Sequence, residues 1–365
     1  MSVKENLKQL LKKYTDVVAP AGSEQEAIKV IYSEIKGYAD EVKVSTLGQI
    51  VAVKNGSKPG PIVAITAHMD EVGYIIKSIL PSGFLMFDKA GAQTDNVVAG
   101  RKVWITAKKI PGIITVRPQH FSTPEEAKMI TPVDKLFIDV GVKNADEAKK
   151  LGITIGAPVV PQSDFMEMVN PDLVCTKAID ERINCAIITE LFKNLKPSDF
   201  AGTILGCFTV REEVGLHGAR HILQKHDVDY VYALDTIPAN DTPDGNIAAV
   251  PLELGKGPGL CVADAILPTS FHLAHPGIRS FVEGIAAKSK IDLQIVSLLG
   301  TRYATDASAF ESIRGVPALT LTVPRRYSHS PVELCDLNDA GALYRLLFAA
   351  LKENDKVDLD FLKLQ

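Results

Sequence analysis

PIVAIT at 61–66 runs directly into AHMDE at 67–71, so a buried-strand pattern stops on a histidine and two carboxylates. Three further segments repeat the arrangement. TILGCFTV (203–210) leads into REE (211–213), VDYVYALD (228–235) ends on its own aspartate, and VPALTLTVP (316–324) leads into RRYSHSP (325–331). Near-continuous apolar runs of this kind suit strands covered on both faces. In open α/β sheets ligands bind beyond the carboxyl ends of the strands, where the loops converge. His68, Glu213, Asp235 and His329 therefore fall where one crevice would collect them, and the predicted fold is α/β, a mixed sheet with helices on both faces.

Working outward, Leu7, Leu10, Leu11 and Tyr14 form a helical stripe interrupted by lysines, which reads as an amphipathic helix and not as a secretion signal. Ser23 to Glu26 has the S-x-x-E form of a capping box and predicts a helix to about residue 36, followed by strands near 42–54 and 61–67. Further helices are expected near 183–195, 214–226, 275–290 and 337–353. From about 72 to 165 the texture changes to short β-rich pieces separated by Pro-Ser-Gly, Pro-Gly and Gly-Ala-Pro turns. The expected organisation is a discontinuous domain, 1–71 and 166–365, carrying an inserted β-rich domain, 72–165, that is PDZ-like or barrel-like. The turn-rich stretch 238–259 after Asp235 is expected at the rim of the crevice.

The 365 residues suggest about two domains. Lys and Arg number 40 against 44 Asp and Glu, a net charge of −4 with the signs interspersed. No basic field exists to attract nucleic acid or anionic lipid. No apolar run approaches the roughly 18 residues of a membrane span. The five cysteines are an odd set without a CxxC pair, which reads as reduced thiols in a cytoplasmic protein.

His68 and Asp70 form an H-x-D unit continuing a strand, where residues two apart point the same way, so Asp70 is placed to orient the ring of His68. Glu212 and Glu213 face opposite ways if their backbone is extended, which would let one bind a metal while the other contacts a water. The competing reading is an exposed acidic turn. Asp180 precedes the helical stripe INCAIITELF, where it is equally an N-cap. Asp235 ends so apolar a strand that its charge requires a partner, and His329 lies in a Tyr-Ser-His-Ser-Pro loop.

HMDEVG (68–73), KAIDER (177–182), REEVGLHGA (211–219), ALD (233–235), LGKGPG (254–259), ATDA (304–307) and PRRYSHSPVE (324–333), in that order, resemble the co-catalytic metalloaminopeptidases of the glutamyl, lysyl and deblocking aminopeptidase group, also historically labelled cellulase M. The resemblance covers nearly the whole chain, including GIITVRPQHFSTPEEAK (112–128). It implies a zinc-peptidase-like fold and two divalent metal ions per chain, Zn²⁺ or Co²⁺ first and Mn²⁺ as a further option. His68 and Asp235 would hold one, Glu213 and His329 the other, and Asp180 would bridge them. Glu212 would be the general base toward a metal-bridging water, and Asp70 would orient His68. Implied partners are peptides with a free N-terminus and further copies of the chain, from dimer to dodecamer, with the inserted domain serving assembly and access. Three departures concern the pocket and not the ligands: Asp180-Glu181-Arg182 in place of Asp-Asp-Arg or Asp-Asn-Arg, His217 in place of arginine, and the ALDTIPAND strand end.

His217 and His221 stand at i and i+4 on a predicted helix, but the HExxH form is absent and a surface face is the simpler reading. LGKGPG lacks phosphate-loop spacing, and no G-x-S-x-G elbow occurs. The alternatives weighed are a metal-dependent deacylase or carboxypeptidase, a glycosidase, which needs two free carboxyl groups across a sugar bond, and a non-enzymatic assembly protein.

Overall fold

The computed structural model describes residues 2–362. Ser2 caps the first helix, α1 (Val3–Thr15), by accepting the Glu5 N–H at 3.3 Å, and the stripe from Leu7 to Tyr14 is buried. α2 (Gln25–Ile35) follows without the expected capping box. Glu24 occupies the cap position, and its carboxylate instead accepts the N–H groups of Gly22 and Arg211. The run expected as strand at 42–54 is a hairpin of β1 (Glu41–Val44) and β2 (Ile50–Asn55), turning through Gly48 at φ +111°. β3 (Lys58–His68) ends on His68.

Six antiparallel strands then close a barrel: β4 (Gly73–Ile79), β5 (Leu85–Ala90), β6 (Arg101–Ile105), β7 (Ile110–Thr115), β8 (Phe137–Asp139) and β9 (Pro158–Pro161). Their order is β4-β5-β8-β7-β6-β9, with β9 pairing back onto β4. Alternation sets the interior, as in β7, where Ile114 is buried and Ile113 is exposed. Tyr74, Phe87, Val103 and Ile138 fill it together with Ala148 of α3 (Ala145–Lys150), forming a core separate from that of the large sheet.

After the barrel come β10 (Met166–Glu167), β11 (Leu173–Thr176), α4 (Ile179–Asn194), β12 (Ala201–Thr209), α5 (His217–Ile222), β13 (Tyr230–Asp235), β14 (Gly259–Ile266), β15 (Ser270–Leu273), α6 (Pro276–Ser289), β16 (Gln294–Ser297), α7 (Asp306–Arg314), β17 (Ala318–Thr322), β18 (Arg325–Arg326), β19 (Glu333–Asp336) and α8 (Leu337–Leu351). The large sheet runs β1-β2-β12-β3-β13-β17-β14-β15, with β16 beside β14. Its centre, β12, β3, β13 and β17, is parallel; β1, β2, β14 and β15 join antiparallel to their neighbours, and β16 runs parallel to β14. α5 is shorter than the helix expected over 214–226, because a turn consumes residues 213–215 and the chain leaves the helix after Ile222. α7 was not expected. Its buried face is built largely from Ala307, Ala309 and Phe310, too small and short a pattern to stand out by periodicity.

Side chains of the central strands alternate between two cores. Val63, Ile65 and Ala67 face the helices α1, α4, α6 and α8, whereas Ala64 faces α5 and α7 with Leu205, Val231 and Phe310. Burial on both faces explains why these runs read as continuous hydrophobic segments. Each large aliphatic or aromatic side chain so buried contributes roughly 1.5–3 kcal/mol relative to exposure. The parallel register matters most for function, because it delivers the ends of β3, β12, β13 and β17 to one edge. No helix among the described residues is long and apolar enough to cross a membrane.

Candidate metal centre

His68 is the last residue of β3, Asp235 the last of β13, Glu212 and Glu213 follow β12, and His329 lies in the loop after β18. Asp180 joins them from the start of α4. Its φ/ψ of −71°, 100° is not helical and no side-chain bond caps that helix, so the N-cap reading does not hold. Asp180 Oδ1 accepts the Thr236 hydroxyl at 3.0 Å and lies 3.5 Å from His68 Nε2. Its Oδ2 lies 3.2 Å from His329 Nε2 and 2.7 Å from Arg325 Nη1. One aspartate thus presents one oxygen to each histidine.

Two overlapping groups have ligand atoms within 4.8 Å of one another: His68, Asp180, Glu181 and Asp235, and Asp180, Glu213 and His329. The five residues read from the sequence as metal-capable are therefore brought together, and Glu181 joins them. Neither His217 nor His221 takes part; His221 Nδ1 contacts Gln49 Nε2 at 2.8 Å.

Glu212 and Glu213 are not in an extended strand. Arg211 has φ +55°, and the Glu212 carbonyl accepts the N–H groups of Gly215 and Leu216, so both glutamates lie in a turn and both line the cleft. Glu213 Oε1 is 3.4 Å from His329 Nε2, and Glu212 Oε2 is 3.8 Å from His68 Nε2. Asp70, fully buried, holds this turn by accepting the N–H groups of Glu212 and Glu213. Its link to the His68 ring is closer through its main-chain carbonyl, 3.2 Å from Nδ1, than through its carboxylate at 3.6 Å. Both the carbonyl and the carboxylate of Asp70 thus lie beside Nδ1 of the ring.

Behind the site, Arg325 donates to Glu333 and to the Thr236 carbonyl, while Glu333 accepts the N–H groups of Asp180 and His329. Tyr303 donates its hydroxyl to Asp235 Oδ1 at 2.9 Å. These positioning groups and Glu181 escaped sequence reading. Their signal, charged residues hard against buried strands, exists but is shared by many loops.

The electrostatics suit cations. Burial pushes the carboxyls of Glu181 and Glu212 well above the usual range, and burial with neighbouring carboxylates raises Glu213 to about 7 and Asp235 to about 8. For His329 burial opposes charge, but Glu213 and Asp180 outweigh it and raise the ring to about 9. Both carboxylate oxygens of Glu181 are buried without a hydrogen-bond partner, and Oε1 of Glu213 has only the His329 ring, 3.4 Å away, beside it. Such orphaned anionic atoms are costly unless a cation meets them, and two imidazoles with several carboxylates form a donor set for divalent zinc-like ions. The residues present fit metal.

The chain is 30% identical over 356 residues to a lysyl aminopeptidase of Pyrococcus furiosus, covering 96% of this chain and 98% of that one. A TET aminopeptidase from a marine sediment archaeon of the Thaumarchaeota superposes with TM-score 0.88 at 31% identity, covering 98% of each chain. The TET1 peptidase of Pyrococcus horikoshii, described as assembling into a tetrahedron or a large octahedral shell, superposes with TM-score 0.82 at 31% identity over 96% of this chain and 99% of that one. The family model described as M42 glutamyl aminopeptidase matches residues 48–346, and with that match over most of its length the chain belongs to this family of metal-dependent aminopeptidases.

Proposed function

We propose that this chain is a two-metal aminopeptidase in which His68 and Asp235 hold one divalent ion, Glu213 and His329 the other, and Asp180 is shared. The observation that carries the reading is Asp180, whose two oxygens lie 3.5 and 3.2 Å from the two histidines. Zn²⁺ or Co²⁺ is the first choice and Mn²⁺ a further one. Such a pair of ions, when bound, supplies Lewis acidity and lowers the pKa of water.

The protein's own groups do the rest. Glu212 faces the His68 side of the cleft, and its buried carboxyl has the raised affinity for a proton that a general base requires. It takes the proton of the attacking water and returns it to the leaving amine. Asp70 holds the turn that aims Glu212, and Arg325 with Glu333 hold Asp180 and His329 from behind. A free substrate α-amino group anchored beside the cations confines cleavage to the N-terminus. Hydrolysis of a free-amine peptide but not of its N-acetylated form supports the reading, and the reverse preference would move the chain to the deacylase or carboxypeptidase class.

The division into a catalytic domain, 1–71 and 166–365, and an inserted domain, 72–165, belongs to the same proposal, the insert serving assembly and access. Phe121, Met129 and Ile130, exposed by 68, 70 and 60% on the excursion between β7 and β8, support a surface that meets further copies of the chain. Light scattering with metal present should report an assembly larger than a monomer, between dimer and dodecamer. The five cysteines are buried and unpaired, in keeping with a reducing, cytoplasmic setting.

A further inference from the structure

Thr236 follows Asp235 directly, inside the ALDTIPAND strand end that departs from the family pattern, and is fully buried. Each of its polar groups meets a different part of the metal centre. Its N–H donates to Asp235 Oδ1 at 2.7 Å, its hydroxyl donates to Asp180 Oδ1 at 3.0 Å, and its carbonyl accepts from Arg325 Nη2 at 3.1 Å and from the Tyr303 hydroxyl at 2.7 Å. The same Tyr303 hydroxyl lies 2.9 Å from Asp235 Oδ1, so its one proton is shared between carboxylate and carbonyl. Tyr303 is itself anchored. It bridges to Ala265 of β14, and a little further on Thr305 donates its N–H to the buried Asp264 at 3.3 Å and meets the Thr320 hydroxyl at 2.9 Å.

These contacts determine which carboxylate lone pairs are free. An ionised carboxylate offers about four acceptor sites, shared equally between its oxygens. On Asp235 the Thr236 N–H and the Tyr303 hydroxyl occupy both sites of Oδ1, and no donor among the described residues meets Oδ2. On Asp180, Thr236 takes a site of Oδ1, and Arg325 Nη1, 2.7 Å away, takes a site of Oδ2. What is left is a single oxygen of Asp235 and a single site on each oxygen of Asp180.

We propose that Tyr303 is a positioning residue that confines Asp235 to a single ligand oxygen, Oδ2, and so keeps the ligand shell on the His68 side incomplete; this rests on the two-metal reading above. The restraint matters at this position because His68, Asp180, Glu181 and Asp235 already place ligand atoms within 4.8 Å of one another. A second oxygen from Asp235 would add a donor to a crowded acidic shell, whereas hydrolytic metal sites keep one position open. The hydroxyl and not the ring exerts the restraint. The Thr236 N–H covers one site of Oδ1, and without the phenol the other is free to turn toward the ion.

The test titrates the metal-stripped wild type, Tyr303→Phe and Thr236→Val with Co²⁺ and follows the visible absorption, which is strong for four-coordinate cobalt and weakens as further ligands bind. Metal content and turnover of aminoacyl aminomethylcoumarin amides are read alongside. Tyr303→Phe keeps the ring and loses the hydroxyl. It should bind cobalt to the wild-type stoichiometry with weaker absorption per ion, and kcat should fall by roughly 10- to 100-fold with little change in KM. Thr236→Val retains both donors to Asp235 Oδ1, so its absorption should match the wild type while its cobalt affinity falls by roughly tenfold or more. A wild-type spectrum in Tyr303→Phe, or loss of an ion from it, overturns the proposal and leaves the phenol a structural support, whatever happens to kcat or the melting temperature. Equal loss of absorption in both variants overturns it as well, since any break in the network would then suffice, and so does a wild-type protein whose cobalt is already six-coordinate. A wild type that binds no cobalt overturns the two-metal reading instead.

Discussion

Asp70 and Glu212 are joined through the backbone: Asp70 Oδ1 accepts the Glu212 N–H at 3.1 Å, while its Oδ2 accepts the Glu213 N–H at the same distance. One buried carboxylate therefore fixes the turn that presents both glutamates. Asp70→Asn keeps the shape but turns a donor toward one of the two N–H groups, so the turn loses one anchor. Such a supporting change costs roughly 10- to 100-fold in metal affinity or activity. We expect kcat to fall with little change in KM, since the substrate's side-chain contacts are elsewhere. A variant with wild-type kcat would show that the clamp is not needed.

Glu212 and Glu213 are adjacent but have different neighbours, the first near His68 and the second near His329 and Asp180. Glu212→Gln should lower kcat by roughly 10² to 10⁴ and retain the wild-type metal content. Glu213→Gln should lose activity together with one ion. Metal analysis of the two variants side by side decides the assignment. Loss of an ion from Glu212→Gln, with Glu213→Gln fully loaded, would reverse it.

Titration of the metal-stripped protein with Zn²⁺ or Co²⁺ should saturate near two ions per chain. Because the ions bind the folded state, excess metal should raise the melting temperature, and free ion at about 100 times Kd adds about 2.7 kcal/mol. Saturation at one ion, or no thermal shift on adding metal, counts against the shared role of Asp180.

The parts of the site that sequence reading reached are those where an apolar run ends abruptly. His68 and Asp235 terminate strands, and a charged group at that point has few explanations. Asp180 was ambiguous, because an aspartate ahead of a helical stripe is also a cap, and only its non-helical backbone turns the side chain toward the histidines. Glu181 stood out only as the residue that departs from Asp or Asn after Asp180, not as one that would face an ion. Arg325 and Glu333 fell in segments with loop composition, although both are buried. The β texture of the insert was visible, but closure of the barrel depends on β9 pairing with β4 across more than sixty intervening residues, a register that no local pattern specifies. The stretch from 42 to 54 likewise hid its turn, because the apolar run Ile50–Val53 follows almost directly after Gly48.

Glu181 yields the last prediction. It is fully buried, both of its oxygens lack a hydrogen-bond partner, and it shares the group formed with His68, Asp180 and Asp235. Without metal this is an uncompensated acid beside two others, which opposes folding. With an ion at that position the same charge is attracted to it. Glu181→Gln should therefore act in opposite directions on the two forms. At neutral pH the metal-stripped variant should melt at or above the wild-type temperature, whereas its affinity for the first Zn²⁺ or Co²⁺ should fall, shifting the binding midpoint by roughly tenfold or more. Calorimetric titration and thermal melts of both forms read the two effects separately. A variant that binds metal as tightly as wild type, or one whose stripped form is strongly destabilised, would place Glu181 among the structural residues of the α4 entrance and not among those that face the ion.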